Sequence, residues 1–366
     1  MSQSRGRRIA VWLLVVAGSV VAVLAIFAIW TARQLLNEDN WRETNTELIG
    51  DPALQEALAA YLVDELYANV DLAGTLESAL PPRLDPLAGP AAGALREPLT
   101  EAVRRMLDAP RVQKLWDEAA RVTHRQFMSL VEERRVALRR DGGAVVLDLR
   151  PVLGAVGEQL GLPITGERLP EGVGRIVVMD ADQLDALQRI VRLLKVLAGG
   201  LLLLSIALFA LAIWLARGRR REILAASALG VVVAAILVLL LRRIVGDTVV
   251  ANLGDTATAQ DAAHSVWTIG TALLAQVART LLLLALLVAL AAWLAGPAGP
   301  ARTVRAWARP ALSGRPELVH GVALAALLGL LALGLIPGIR TLAAAGLLIV
   351  VVAGGVEMVR RQAVRE

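Results

Sequence analysis

Three arginines are the residues of this sequence whose setting most favours binding chemistry. Arg242 and Arg243 follow one long apolar run, and Arg279 precedes another. An arginine at the edge of a bilayer is costly unless it faces protein, water or a lipid phosphate. If the three guanidinium groups converge, they could hold an anionic lipid headgroup or another anionic ligand through bidentate hydrogen bonds.

A structural interpretation competes with this one and is the commoner fate of such side chains. Arginines near a membrane edge extend to the interface, or they pair with acidic neighbours. The acidic residues close by are Asp247, Asp255 and Asp261. Ion pairs with these aspartates would leave no charge for a ligand.

No other group of side chains indicates a reaction. The three histidines, His124, His264 and His320, are far apart, and none has a second histidine or a glutamate at metal-ligand spacing. Cysteine is absent, which excludes disulfides, cysteine-ligated metals and a thiol nucleophile. The sequence has neither a phosphate-binding loop nor a nucleophile elbow. We therefore predict no catalytic residue, no cofactor and no metal, in a protein that is not an enzyme.

Three aspartates near two short β-branched segments offer a weaker alternative. Asp148, Asp180 and Asp182 could act as paired carboxylates or bind calcium. Helix capping is the commoner role for aspartates that precede a helix, as Asp180 and Asp182 do.

The composition is that of a membrane protein. Of the 366 residues, 56% are hydrophobic, and the mean hydropathy is +0.60. A soluble protein of this size needs a more polar surface. The net charge of +5 could indicate nucleic-acid binding. The arginines cluster at the ends of apolar runs, however, which is typical of topology signals, so we predict no nucleic-acid partner.

The apolar runs predict a mainly α-helical fold with six transmembrane helices. The run at 9–30 is longer than the core of a cleavable signal and follows Arg5, Arg7 and Arg8, so it predicts an uncleaved anchor. Later runs lie at 196–216, 223–241, 318–336 and 341–356, and another ends at Leu294. The predicted organisation has a cytoplasmic N-terminus at 1–8, the anchor at 9–30, a helical domain with its stalk helix at 31–195, and transmembrane helices two to four at 196–296 with an outer segment at 246–276. A basic loop at 297–317, a transmembrane hairpin at 318–357 and a tail at 358–366 complete the chain.

The domain at 31–195 is predicted to be helical with one small β element. Asp51 and Pro52 open a helix in which Leu54, Leu58, Tyr61, Leu62 and Leu66 mark one face. The segments 144–149 and 175–179 are short and β-branched, so they predict two paired strands. From Asp180 the spacing predicts a stalk helix that continues into the second span without a break.

The arginines predict the orientation. They concentrate in the four segments that six spans place on one side, so both termini and the loop at 297–317 should be cytoplasmic. The domain at 31–195 is then extracytoplasmic, and the protein belongs to the plasma membrane. Whether 246–276 dips into the bilayer or stands against the domain is open.

The chain resembles a family of uncharacterised actinobacterial integral membrane proteins. The likeness covers roughly residues 5–300 and lies in the anchor, the DPALQEALAAYLVDEL helix, the LPPRL connector, LDLRPVL at 147–153, the DADQLDALQRIVRLLKVL stalk and AAWLAGP at the end of the fourth span. The resemblance implies a fold and a location, and it implies no activity.

Two functions of different class follow from these observations. The first is a non-enzymatic interaction, scaffold or sensor protein whose outer domain contacts a cell-wall component or another envelope protein. The second is a transporter or lipid-handling protein with an anionic-headgroup site at Arg242, Arg243 and Arg279. The spans contain few acidic or polar residues, which disfavours transport.

Overall fold

The computed structural model describes residues 5–79, 81, 83–131, 144–148, 175–253 and 256–296, with isolated positions after 301. The chain divides into two compact units. One, here the bundle, contains residues 1–32, 194–244 and 271–366. The other, here the helical domain, contains 33–193 and 245–270.

Four of the described helices are long and apolar enough to cross a membrane. They are α1 (Arg5–Leu36), α7 (Ala181–Leu215), α8 (Arg220–Leu253) and α10 (Ala272–Leu294). The predictions of a mainly helical chain and of a membrane protein are confirmed. The two predicted spans at 318–336 and 341–356 lie outside the described residues, as does most of the loop at 297–317.

The long helices extend beyond the apolar runs. Helix α7 begins at Ala181 and continues to Leu215, as the stalk prediction requires. Helix α8 does not end at Arg242 and Arg243 but runs to Leu253. No proline interrupts either helix. Polar residues can continue a helix in solvent, so the helix does not have to end where its apolar run ends.

Two apolar clusters hold the bundle together near its two ends. Near the start of α1, Val11 and Val15 pack with Ala212 and Ala216 of α7 and Ile223 of α8. Towards the other end, the cluster joins three helices through Ile26 of α1, Val238 of α8, and Leu274 and Ala278 of α10. Small residues let the helices approach closely, as is common in membranes.

The middle of α1 contacts α7 through a glycine. A Cβ placed on Gly18 would lie 2.8 Å from Phe209 Cε1. The Ser205 hydroxyl donates a hydrogen bond to the Gly18 carbonyl oxygen at 3.0 Å. Close packing and a satisfied polar group therefore coincide at this crossing.

The helical domain consists of short helices opened by polar caps. They are α2 (Glu38–Gly50), α3 (Pro52–Asn69), α4 (Leu72–Ala79), a 3-10 turn (Asp85–Leu87), α5 (Ala88–Asp108), α6 (Pro110–Val131) and α9 (Ala257–Gly270). The Asp51 side chain accepts a hydrogen bond from the Leu54 N–H, and Pro52 occupies the first turn. The sequence predicted this cap.

The prediction of a core face on α3 is wrong. Its buried residues are Gln55, Ala59 and Val63, whereas Tyr61 and Leu62 are exposed. Gln55 is satisfied because its Nε2 donates to the Ile49 carbonyl oxygen at 2.8 Å. Small Ala59 permits close helix contact, so α3 packs mainly through these residues, with Leu54 and Leu58 half-buried.

The segment 245–270 belongs to the helical domain, where α9 packs against α3 and α2. The buried backbone of Gly246 lies against the Trp267 indole, whose Nε1 would be 2.3 Å from an added Cβ. This arrangement corresponds to the second of the two placements that the sequence left open for 246–276.

Two strands pair before α7. β1 (Ala144–Asp148) is antiparallel to β2 (Arg175–Asp180), with Ala144 opposite Asp180 and a register shift between Val145 and Val146. Helix α7 follows β2 directly. The predicted helix at 151–162 lies outside the described residues.

Candidate functional site

Arg242 and Arg279 lie on two helices of the bundle that share an apolar cluster. Arg242 lies on α8 one turn beyond the buried Val238, and Arg279 lies on α10 beside the buried Ala278. Arg242 is partly buried, whereas Arg243 and Arg279 are exposed. The convergence of the three arginines on one ligand stays a prediction.

Thr271 is a member of this cluster that the sequence did not predict. Arg242 Nε donates a hydrogen bond of 2.8 Å to Thr271 Oγ1. Thr271 is only 5% exposed and stands at the N-cap position of α10. Its side chain does not cap its own helix, and the first turn of α10 contains no acidic residue. The partial positive charge of a helix N-terminus therefore adds to that of the arginines.

A tryptophan lies at the same level of the bundle. Trp30, Arg242 and Thr271 each lie about one helical turn beyond a member of the apolar cluster, Ile26, Val238 and Leu274 respectively. The Trp30 Nε1–H is buried and has no hydrogen-bond acceptor. We call the end defined by Trp30, Arg242, Thr271 and Arg279 the Thr271 end.

Two of the three predicted acidic partners do not pair with the arginines of this region. Asp247 and Asp261 are exposed, and neither forms an ion pair with Arg242, Arg243 or Arg279. Asp255 lies outside the part of the chain that the structure describes.

Arginines at the other end of the bundle have different partners. Arg7 Nε donates to the Leu215 carbonyl oxygen at 2.8 Å, at the C-terminus of α7. Arg221 donates to the carbonyl oxygen of Ala295, the C-cap residue of α10. Cations are favourable at helix C-termini, where carbonyls lack partners within the helix. We call the end defined by these four residues the capped end.

The helical domain carries an apolar surface on the second half of α3. Leu62 and Leu66 recur at four-residue spacing and are 45% and 38% exposed, and the C-cap residue Val70 is 41% exposed. Leu62 and Leu66 follow Ala59 at three and seven residues, so they continue the side through which α3 packs. We call Leu62, Leu66 and Val70 the α3 stripe. It extends a packing face beyond the helices that cover it.

The charged residues on α3 are all acidic. They are Glu56, Asp64 and Glu65, and each is exposed. Asp64 pairs with Arg96 of α5 at 2.7 Å, and the Arg96 guanidinium lies 4.8 Å from the centre of the Tyr67 ring. The stripe thus has a polar, largely acidic border.

The histidines do not form a site among the described residues. His124 is buried, stacks on Trp41 with ring centres 5.4 Å apart, and has its Nε2 3.1 Å from the Leu35 carbonyl oxygen. His264 is exposed, and His320 lies outside the description. No group of three histidine, aspartate or glutamate side chains in the described ranges could hold a metal ion.

The strand register separates two of the aspartates considered as carboxylate partners. Asp148 is opposite Arg175 at one end of the ladder, and Asp180 is opposite Ala144 at the other end. Helix α7 begins at Ala181, so Asp180 stands at the N-cap position and Asp182 lies inside the first turn.

No protein-family model matches this chain, and no curated protein or solved structure matches it. The two surfaces described above are therefore the basis for assigning a function.

Proposed function

We propose that this chain is a non-enzymatic plasma-membrane protein whose helical domain binds a helix of another envelope protein. The observation that carries the proposal is the α3 stripe, an exposed apolar row that continues the packing side of α3. An exposed apolar surface with a polar border is typical of an interaction site.

The spacing of the α3 stripe suits a helical partner. Residues at four-residue intervals on one helix present a narrow ridge that an amphipathic helix can cover with its own apolar face. Because α3 has no basic residue and its border is acidic, the partner helix should carry lysine or arginine beside its apolar face. The same acidic border would be repelled by anionic lipids, which disfavours the bilayer surface as the occupant.

The proposed orientation places both termini in the cytoplasm and the helical domain outside it. Arg7 and Arg221, at the capped end, belong to the arginine-rich segments that the positive-inside bias assigns to the cytoplasm. A cell-wall component is the alternative occupant of the domain, but an uncharged polymer would not use the acidic border.

The test is photo-crosslinking in native membranes from a probe amino acid at Leu66, with the full chain expressed at its natural level. Ala68 is the matched control, since it is exposed on the same helix two positions later and so points away from Leu66. We expect a protein adduct from position 66 that is absent from position 68. Substitution of Leu62 by serine should weaken the adduct formed by the probe at Leu66, because Leu62 lies one turn away on the same side of α3.

Three outcomes would contradict the proposal. They are adducts with lipid alone, adducts within one chain, and equal adducts from positions 66 and 68. An adduct between two copies of the chain would replace the heterologous partner by self-association.

A further inference from the structure

We infer that the capped end binds the headgroups of anionic phospholipids through exposed arginines other than Arg7 and Arg221. This surface is separate from the α3 stripe and does not depend on the proposed function. It belongs to the bundle alone, where α1, α7 and α8 meet in the apolar cluster of Val11, Ala216 and Ile223.

Basic residues are concentrated at this end. Residues 5–8 and 217–222 contain seven arginines and one acidic residue, Glu222. A hydrogen bond of 2.8 Å from Arg7 Nε to a carbonyl oxygen at the C-terminus of α7 joins the two segments. Glu222 accepts a hydrogen bond of 2.8 Å from Arg219 Nε. The one carboxylate of these two segments is therefore already paired.

Exposed arginines surround the point where the three helices meet. Arg8 and Arg220 are exposed, and each precedes a member of the apolar cluster, Val11 and Ile223 respectively, by three residues. Arg5 is also exposed and lies one turn further along α1. Residues three apart share one side of a helix, so Arg8 and Arg220 border the helix junction on two neighbouring helices.

Exposed tryptophans indicate that this level of the bundle lies at a membrane edge. Trp12, Trp214 and Trp293 belong to α1, α7 and α10 and are 48%, 61% and 44% exposed. Indole rings prefer the headgroup layer. Arg8 precedes Trp12 by one turn, and Arg217 follows Trp214 by three residues. The arginines therefore continue from the level of the tryptophans towards that of the lipid phosphates.

The charge and the position of this surface suit an anionic phospholipid. A guanidinium group offers parallel N–H donors that match two phosphate oxygens. Basic residues beside a membrane span attract anionic headgroups, which lie within their reach without a further partner. A zwitterionic headgroup carries a cation beside its phosphate, and the arginines repel that cation. The surface should therefore select anionic over zwitterionic lipids.

The experiment measures thermal unfolding of the purified full chain in a neutral detergent. The added probe is phosphatidylglycerol, phosphatidylcholine or inorganic phosphate. Phosphatidylglycerol should raise the melting temperature, and phosphatidylcholine should not. The double variant Arg5→Gln/Arg220→Gln should weaken the apparent affinity for phosphatidylglycerol by roughly 30-fold, about fivefold for each arginine, which corresponds to about 1 kcal/mol per residue. Arg5→Lys/Arg220→Lys should retain most of the affinity, because lysine keeps the charge.

Arg83→Gln/Arg111→Gln is the matched control, since it removes two exposed arginines from the helical domain and changes the net charge equally. Because Arg5 and Arg220 are exposed, their replacement should leave the melting temperature without lipid unchanged. Equal responses of the two glutamine variants to phosphatidylglycerol would overturn the inference. Equal stabilisation by both lipids, stabilisation by inorganic phosphate alone, or loss of the response in the lysine variant would overturn it as well.

Discussion

The two ends of the bundle use the same residue type in opposite electrostatic settings. At the capped end, Arg7 and Arg221 donate to carbonyl oxygens at the C-termini of α7 and α10. At the Thr271 end, Arg242 donates a hydrogen bond to Thr271 at the N-terminus of α10. The helix dipole favours the first arrangement and opposes the second.

This difference shows that arginines of one sequence pattern have different structural roles. Positive charge near a membrane edge is usually explained by topology alone. At the capped end the arginines also satisfy carbonyl groups at helix C-termini. At the Thr271 end, Arg242 instead donates to a threonine hydroxyl.

The largest expected effect tests whether both ends belong to one packed bundle. Gly18→Leu should lower the free energy of unfolding by about 1–3 kcal/mol, because a side chain there overlaps the Phe209 ring. Titration with a denaturing detergent, followed by circular dichroism, would measure it. Gly199→Leu is the control, since nothing lies within 4 Å of a Cβ at that position. Equal losses in the two variants would show that the crossing at Gly18 is not tightly packed.

The second prediction concerns the capped end. Arg221→Gln should destabilise the bundle by about 1–2 kcal/mol, because the carbonyl of Ala295 loses a charged donor at a helix C-terminus. The same titration measures this change. Arg8→Gln, which removes an exposed arginine from the first turn of α1, should change stability by less than about 0.5 kcal/mol. A loss in Arg8→Gln as large as in Arg221→Gln would point to net charge and not to the cap.

The smallest expected effect is at Arg279. In neutral detergent, Arg279→Gln should change the free energy of unfolding by less than about 0.5 kcal/mol, because the Arg279 side chain is exposed. A clear destabilisation would mean that Arg279 already has a favourable partner. The contrast between the two ends would then be lost.

Hydropathy was sufficient to predict the four described spans, and local spacing predicted the Asp51 cap, because both depend on neighbouring residues. The packing face of α3 was not predictable in this way. Its core uses Ala59 and a glutamine that bonds to Ile49, and a pattern search for leucines overlooks both. The role of Thr271 was not predictable from local sequence, because it depends on a contact with Arg242, 29 residues away. Sequence located the arginines but could not determine which of them meet, since that depends on the rotation of each helix.

The hydrogen bond from Arg7 to Leu215 also constrains the order of assembly. These residues are 208 positions apart, whereas Arg242 and Thr271 are 29 apart. At about 5–20 residues per second, roughly 10–40 s of synthesis separate Arg7 from its partner. During that time α1 must remain in the lipid without α7. At the same rate, roughly 1–6 s separate Arg242 from Thr271. The contact of Arg7, although its residue is synthesised first, therefore forms later than that of Arg242 relative to the first partner's synthesis.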